Sequence, residues 1–215
     1  MRISVVGGTG NLGYGLAARM AAAGHMVRIG SRDQERACSA AASLNALTGT
    51  ENTSGHANAA AVEDAETVVI AVPSAAQAET LRSLAALLDG KVVIDATVSL
   101  NPKDVTTVLP PEEGSCALRA RALLPAGTEL VAAFHTLSGK LLADLSRTVH
   151  ADALCCGDSA AAKETVLALC DTMKIKGVDV GPLSRSAFLE QCTGIIIGLN
   201  KRYRRGHVGL HFTGL

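Results

Sequence analysis

The segment Gly8-Thr9-Gly10-Asn11-Leu12-Gly13 follows a short β-branched apolar run, Arg2 to Val6, and opens a helical pattern from Tyr14 to Ala23. A Gly-x-Gly-x-x-Gly pattern alone is weak. Placed between a strand and a helix, it constrains the fold strongly. One glycine makes the tight turn, one lets backbone approach a pyrophosphate, and one lets helix and strand pack closely. The helix start adds free N–H groups and positive potential, which favour phosphate. Gly8, Thr9, Gly10, Asn11, Leu12 and Gly13 are therefore the expected contacts to a dinucleotide.

The rest of the chain continues the alternation. Strands are expected at 25–29, 52–56, 67–72 and 91–95, with helices at 33–48, 58–65 and 75–88 between them. Several of these strands are apolar without alternation, as in Val68-Val69-Ile70-Ala71-Val72. Such runs fit strands covered on both faces, the parallel-sheet condition. The expected fold class is α/β: a Rossmann-type, doubly wound, mainly parallel sheet with its ligand sites at the carboxyl ends of the strands. Residues 97–111, with Pro102, Pro110 and Pro111, are expected to be the longest irregular stretch. Beyond it come a helix near 113–123, strands at 129–133 and 152–156, a helix at 159–172, a strand at 175–180 and a helix at 184–203. The expected organisation is a single NADP-binding domain over 1–215. Residues 1–100 form its nucleotide-binding core, and 113–215 supply substrate-side elements, with a small C-terminal extension packed on the sheet.

The end of the second strand discriminates between dinucleotides. A carboxylate there accepts from the ribose 2′-hydroxyl of NAD. This chain instead has Gly30-Ser31-Arg32, with Arg36 one turn on. A hydroxyl and guanidinium groups suit a 2′-phosphate, through charge-assisted bonds. Ser31, Arg32 and Arg36 are thus expected to select NADP, with Thr9 in reach and Asp33 occupied as a helix cap. Val72, Pro73 and Ala96 end the fourth and fifth strands and are expected beside the ribose and nicotinamide.

Composition narrows the partners. Lys plus Arg and Asp plus Glu are 20 each, so an excess of cations for nucleic acid or a membrane surface is missing. Aromatic residues make up 2%, with no Trp, which disfavours single-strand stacking platforms. No secretory pattern and no apolar run of ~18–20 residues is seen, so a cytoplasmic protein is expected. The six cysteines form no Cys-x-x-Cys pair and suggest reduced thiols rather than a metal site.

Four segments carry a resemblance: Gly-Gly-Thr-Gly-Asn-Leu-Gly at 7–13, Gly-Ser-Arg at 30–32, Phe-His-Thr at 134–136 and Gly-Pro-Leu-Ser at 181–184. Together they resemble the NADP-dependent reductases of the 8-hydroxy-5-deazaflavin coenzyme F-420. The resemblance implies reversible hydride transfer between the nicotinamide C4 and the deazaflavin C5, with coenzyme F-420 as substrate. It implies that His135 is the catalytic group, steadying charge on the ring, and that His135, Leu137 and Thr193 border the deazaflavin. It also implies that the stretch from Gly206 through Val208 to Leu210 closes over it. Ser74, Ser138 and Ala187 stand where relatives often carry Trp, Pro and Arg, so the nucleotide half matches more fully than the substrate half. An NADPH-dependent reductase of an imine, ketone, flavin or ferric chelate therefore stays open, as does a non-catalytic NADP(H)-sensing module.

Two features lie outside these motifs. Lys201-Arg202-Tyr203-Arg204-Arg205 is the densest basic cluster, suited to an anionic tail on the substrate or to a helix C-terminus. The last helix has an apolar face through Phe188, Cys192, Ile195, Ile196 and Leu199, with Gly194 and Gly198 four apart. That face is open to two uses, core packing or a homodimer interface, and the family resemblance implies the homodimer.

Overall fold

The computed structural model describes residues 1–215. Its centre is an eight-stranded sheet formed by β1 (Arg2–Val6), β2 (Met26–Ser31), β3 (Thr53–Ala57), β4 (Thr67–Ile70), β5 (Val92–Asp95), β8 (Glu129–Ala133), β9 (Ala153–Gly157) and β10 (Gly177–Asp179). Two further strands, β6 (Leu100–Asn101) and β7 (Asp104–Val108), form a separate hairpin. The sheet order is β3-β2-β1-β4-β5-β8-β9-β10, so the winding reverses between β1 and β4. Pairings are parallel from β3 through β8. The β8–β9 pair is antiparallel, and β9 and β10 run together in the reversed sense.

Period-two alternation assigns each strand residue to a layer. Ile3, Val5, Val69, Ile94 and Val131 enter one core, beneath helices α1 (Asn11–Ala22), α2 (Gln34–Thr48) and α7 (Ala160–Thr172). Val6, Val68, Ile70, Val93 and Leu130 enter the other, beneath α3 (Asn58–Glu63), α4 (Ser74–Leu88), α5 (Cys116–Leu123) and α8 (Ser186–Arg202). Both faces are covered, which explains why these strands read as unbroken apolar runs.

Two expectations change, and one open reading gains an answer. Residues 97–111 are not simply irregular, because they contain the β6–β7 hairpin. Its turn is built by Asn101 Oδ1 accepting from the Lys103 N–H, and Asp104 Oδ1 then accepts from the Thr106 N–H. A five-residue helix, α6 (Gly139–Ala143), follows β8 where none was expected. Gly194, moreover, serves the chain's own packing. A Cβ there would meet the Thr106 carbonyl oxygen at 2.6 Å, so this glycine admits the hairpin onto α8. Gly198 also lies over Thr106, more loosely.

Candidate functional site

The loop after β1 is built from close backbone contacts. Gly7 has φ +84°, and a Cβ on it would meet the Ala71 carbonyl oxygen at 2.6 Å. A Cβ on Gly13 would collide with the Gly7 carbonyl, and one on Gly8 would meet Val5 O at 2.9 Å. Gly8 and Gly13 therefore pack the turn and line no cavity. Helix α1 begins at Asn11, directly behind Gly10, and no side chain caps it. The N–H groups and the positive end of its dipole are left for a ligand.

A cleft of about 420 Å³ runs outward from this loop, lined by Thr9, Gly10, Ser31, Arg32 and Arg36 among others. Arg32 and Arg36 are exposed and make no side-chain bond to the protein. Asp33 also borders the cleft, but its Oδ1 accepts from the Arg36 N–H at 3.2 Å, which is the expected helix cap. Asn58, at the start of α3, lines the same cleft, and its buried Oδ1 has no partner. Such orphans are uncommon among buried polar atoms. Asn58 was not legible in the motifs, since it reaches the cleft only through the pairing of β3 with β2.

A second cavity, of about 540 Å³, shares Gly10, Ala71, Val72 and Pro73 with the first. Ala96 lines it, as do Asn11 and Leu12. Its remaining walls are largely apolar: Val98 and Leu100 from the hairpin side, Leu137 after β8, and Ile196 and Ile197 from α8. The two cavities form one groove across the strand-order reversal, the position where open α/β sheets bind ligands.

His135 and Thr193 meet in this second cavity. Phe134, buried just after β8, holds φ +71°, a left-handed conformation costly for a bulky side chain. A turn closed by Leu137 N–H to Phe134 O at 3.2 Å follows, so backbone strain sits next to His135. Thr193 Oγ1 donates to His135 O at 2.9 Å, and also approaches the Leu189 carbonyl one turn back at 3.4 Å. Its hydroxyl proton is therefore spent on holding His135. The His135 side chain is buried, and neither Nδ1 nor Nε2 has a partner. Burial drives its pKa down to about 4; the Thr97 backbone opposes this from outside hydrogen-bond geometry. The imidazole is neutral at physiological pH, with one donor and one acceptor unpaired.

Behind the groove, Asp95 is buried at the end of β5. Its Oδ1 accepts from the Thr97 N–H at 2.8 Å, its Oδ2 from Gln77, and Arg119 Nε donates to Gln77 Oε1 at 2.9 Å. This fixes the Ala96–Thr97 turn. Burial raises the Asp95 pKa to about 6. Glu190 accepts from the Cys116 N–H at 2.7 Å at the start of α5, and burial together with Asp95 raises it to about 7. All six cysteines are free, and burial pushes Cys155, Cys156 and Cys170 to about 11, 12 and 12, the opposite of an activated thiol.

The substrate-side wall is docked onto the nucleotide helix. A Cβ on Gly139 would meet Asn11 O at 2.5 Å, and one on Gly15 would meet Gly139 O at 2.5 Å. Arg19 of α1 donates to four carbonyls around the end of α6: Leu142 at 2.8 Å, Leu141 at 3.0 Å, Asp144 at 2.7 Å and Arg147 at 2.9 Å. Gly206 and Val208 do not themselves line the cavity. Gly206 O accepts from Ser138 Oγ at 3.1 Å, and the Val208 N–H donates to Asn200 Oδ1 at 3.0 Å. Ser138 and Asn200 are lining residues, so the C-terminal strap acts on the cavity through them.

The family model described as NADP oxidoreductase, coenzyme F420-dependent, matches residues 2–99. An F420-dependent NADP reductase of Methanothermobacter marburgensis is 36% identical over 222 residues, covering 100% of this chain and 99% of its own. The chain belongs to this family. A second relative of the same name, from Methanocaldococcus jannaschii, is 32% identical over 100% of this chain and 99% of its own. A crystal structure of an Arthrobacter sp. FB24 protein superposes with a TM-score of 0.85 at 24% identity, over 99% of both chains. That likeness shows the fold over nearly the whole chain.

Proposed function

We propose that this protein transfers a hydride between NADP(H) and the deazaflavin coenzyme F-420. The family supports the reading, and one observation of the molecule carries it: two cavities meet at Gly10, Ala71, Val72 and Pro73, one basic at its far end and one apolar with an unpaired neutral histidine. NADP(H) and the deazaflavin supply the redox chemistry, a hydride passing between nicotinamide C4 and deazaflavin C5, so the protein needs no covalent catalyst.

The chain's own residues bind and orient. Ser31, Arg32 and Arg36 take the 2′-phosphate, with Thr9 beside them. Gly10, Asn11 and Leu12 present the helix start to the pyrophosphate, while Gly8 and Gly13 allow the turn. Asn58 borders the same cleft. Val72, Pro73 and Ala96 would border the nicotinamide, and Leu137, Ile196 and Ile197 would border the second ring and exclude water. Near-attack positioning of this kind supplies several kcal/mol, up to about 7–11, of a bimolecular barrier. His135 donates or accepts at a heteroatom of the acceptor ring and carries no charge into the ground state. Thr193 holds the histidine through its backbone.

Phe188 and Ile195, 71% and 61% exposed on α8, support a homodimer through that face. No helix is long and apolar enough to cross a membrane. Together with the reduced cysteines this supports a cytoplasmic protein in which residues 1–215 act as one NADP-binding domain. Mixing NADPH with oxidised coenzyme F-420 tests the function. The absorbance of both must fall in step, and a mixture that stays unchanged with active, folded protein refutes it.

A further inference from the structure

A connected run of polar groups lies behind the groove, and none of its side chains lines either cavity. Asp95, Gln77 and Glu190 are all buried. Asp95, at the end of β5, takes the Thr97 N–H on Oδ1 at 2.8 Å and Gln77 Nε2 on Oδ2. The same Gln77 nitrogen donates to Cys116 O at 3.1 Å, and Gln77 Oε1 accepts from Arg119 Nε at 2.9 Å. Arg119 in turn donates to Ser74 O at 3.0 Å, one residue past Pro73. From the other side of that peptide the Cys116 N–H donates to Glu190 Oε1 of α8 at 2.7 Å, with the Ala117 N–H beside it at 3.4 Å. A buried bond of 2.7 Å between the Ser115 and Ser186 hydroxyls closes the same contact.

Each end of this run reaches a wall of the groove. Ala96, between Asp95 and Thr97, lines the second cavity, and so does Pro73, next to Ser74. On α8, Thr193 and Ile196 follow Glu190 at three-residue steps; both line the cavity, and Thr193 holds His135 O at 2.9 Å. The first turn of α5 sits midway, its Cys116 peptide joining the two halves. Stability alone is a poor reason for such a network, since apolar residues of similar volume in place of buried ionic groups are often neutral or stabilising. Glu190 Oε2 is moreover buried without a partner, a cost that simple core packing would not incur. What the polar groups add is placement. Hydrogen bonds tolerate a narrow range of length and angle, whereas apolar faces slide past one another.

We infer that Asp95, Gln77, Arg119 and Glu190 are positioning residues for the transfer: a buried polar strut that sets the gap between the strand ends on the nicotinamide side and the α8 wall on the acceptor side. Asp95, Gln77 and Arg119 lock the Pro73–Ser74 and Ala96–Thr97 turns to each other. Glu190 locks α8 to both through the start of α5. The inference rests on the hydride-transfer reading, because the gap matters only for a reaction between two rings held face to face.

Single-turnover transfer from NADPH to oxidised coenzyme F-420, with both sites of the full-length protein saturated, tests it. Asp95 takes two donors on two oxygens, so Asp95→Asn leaves one donor without an acceptor and cuts the strut at one end. Glu190→Met cuts it at the other. Each is expected to slow the transfer about tenfold or more, while NADPH affinity and the acceptor KM stay within about twofold. The primary deuterium isotope effect should become more temperature-dependent in both, because a loosened gap samples a wider spread of donor–acceptor distances. Glu190→Gln, which returns an acceptor to the Cys116 N–H, is expected to recover most of the rate lost in Glu190→Met. A slower transfer with the wild-type isotope effect at every temperature, or a loss confined to KM or to stability, overturns the strut. If Glu190→Met does not fold, Asp95→Asn decides by the same readouts. A wild-type protein that binds NADPH and passes no hydride overturns the hydride-transfer reading, and the strut falls with it. Normal transfer in the wild type beside an unaltered Asp95→Asn overturns the strut alone.

Discussion

Arg32 and His135 solve opposite electrostatic problems. Arg32 stays in water, unpaired, where a guanidinium costs little to keep charged and is ready for a doubly charged phosphate. Arg32→Ala is expected to weaken NADPH by about tenfold or more while leaving NADH nearly unchanged, as isothermal titration would show. Equal losses would remove the 2′-phosphate role. His135 is buried without a partner, so its folded pKa of about 4 lies below the unfolded value of 6.5. The unfolded chain therefore binds the proton first, and stability falls as pH drops from about 6.5 toward 4. The full effect is about 3 kcal/mol relative to His135→Asn, read from urea denaturation across that range. A parallel pH dependence in the two proteins would contradict the burial account. Both residues were visible in the sequence because strand ends are local features. The neutrality of His135 was not, because it depends on what Phe134, Thr193 and the sheet bury around it. Asn58 escaped for the same reason.

Among elements, the hairpin β6–β7 and helix α6 were the hardest to read. The first has one strand of two residues and sits among three prolines, and the second is a five-residue helix, too short for a periodic pattern. Both owe their position to tertiary contacts: the hairpin to the gap above Gly194, and α6 to Gly15, Gly139 and the Arg19 clamp. The long elements were legible because a strand buried on both faces and a capped helix each follow from local rules. Arg19→Met tests the clamp. Losing four carbonyl bonds to one cation is expected to cost about 2–4 kcal/mol in chemical denaturation. KM for the acceptor should rise more than that for NADPH, since α6 carries the acceptor wall. A variant of wild-type stability and kinetics would show that α6 is held by packing alone.

For the whole molecule, the sheet order brings two cavities together at the strand-order reversal, and a balanced total charge hides local asymmetry. The cations at Arg32 and Arg36 sit in the cleft beyond the residues the two cavities share. Phe188 and Ile195 of α8 line neither cavity of the crevice, so a second copy docked on them would leave those walls in place. Sedimentation is expected to show a dimer that dissociates in Phe188→Glu/Ile195→Glu, whose exposed positions leave the fold intact. A wild-type monomer at micromolar concentration would rule this interface out. NADPH deuterated at the transferred C4 position should deliver its deuterium to C5 of the deazaflavin in a single turnover. Reduced coenzyme F-420 carrying only solvent hydrogen at C5, or no reduction at all, would contradict it.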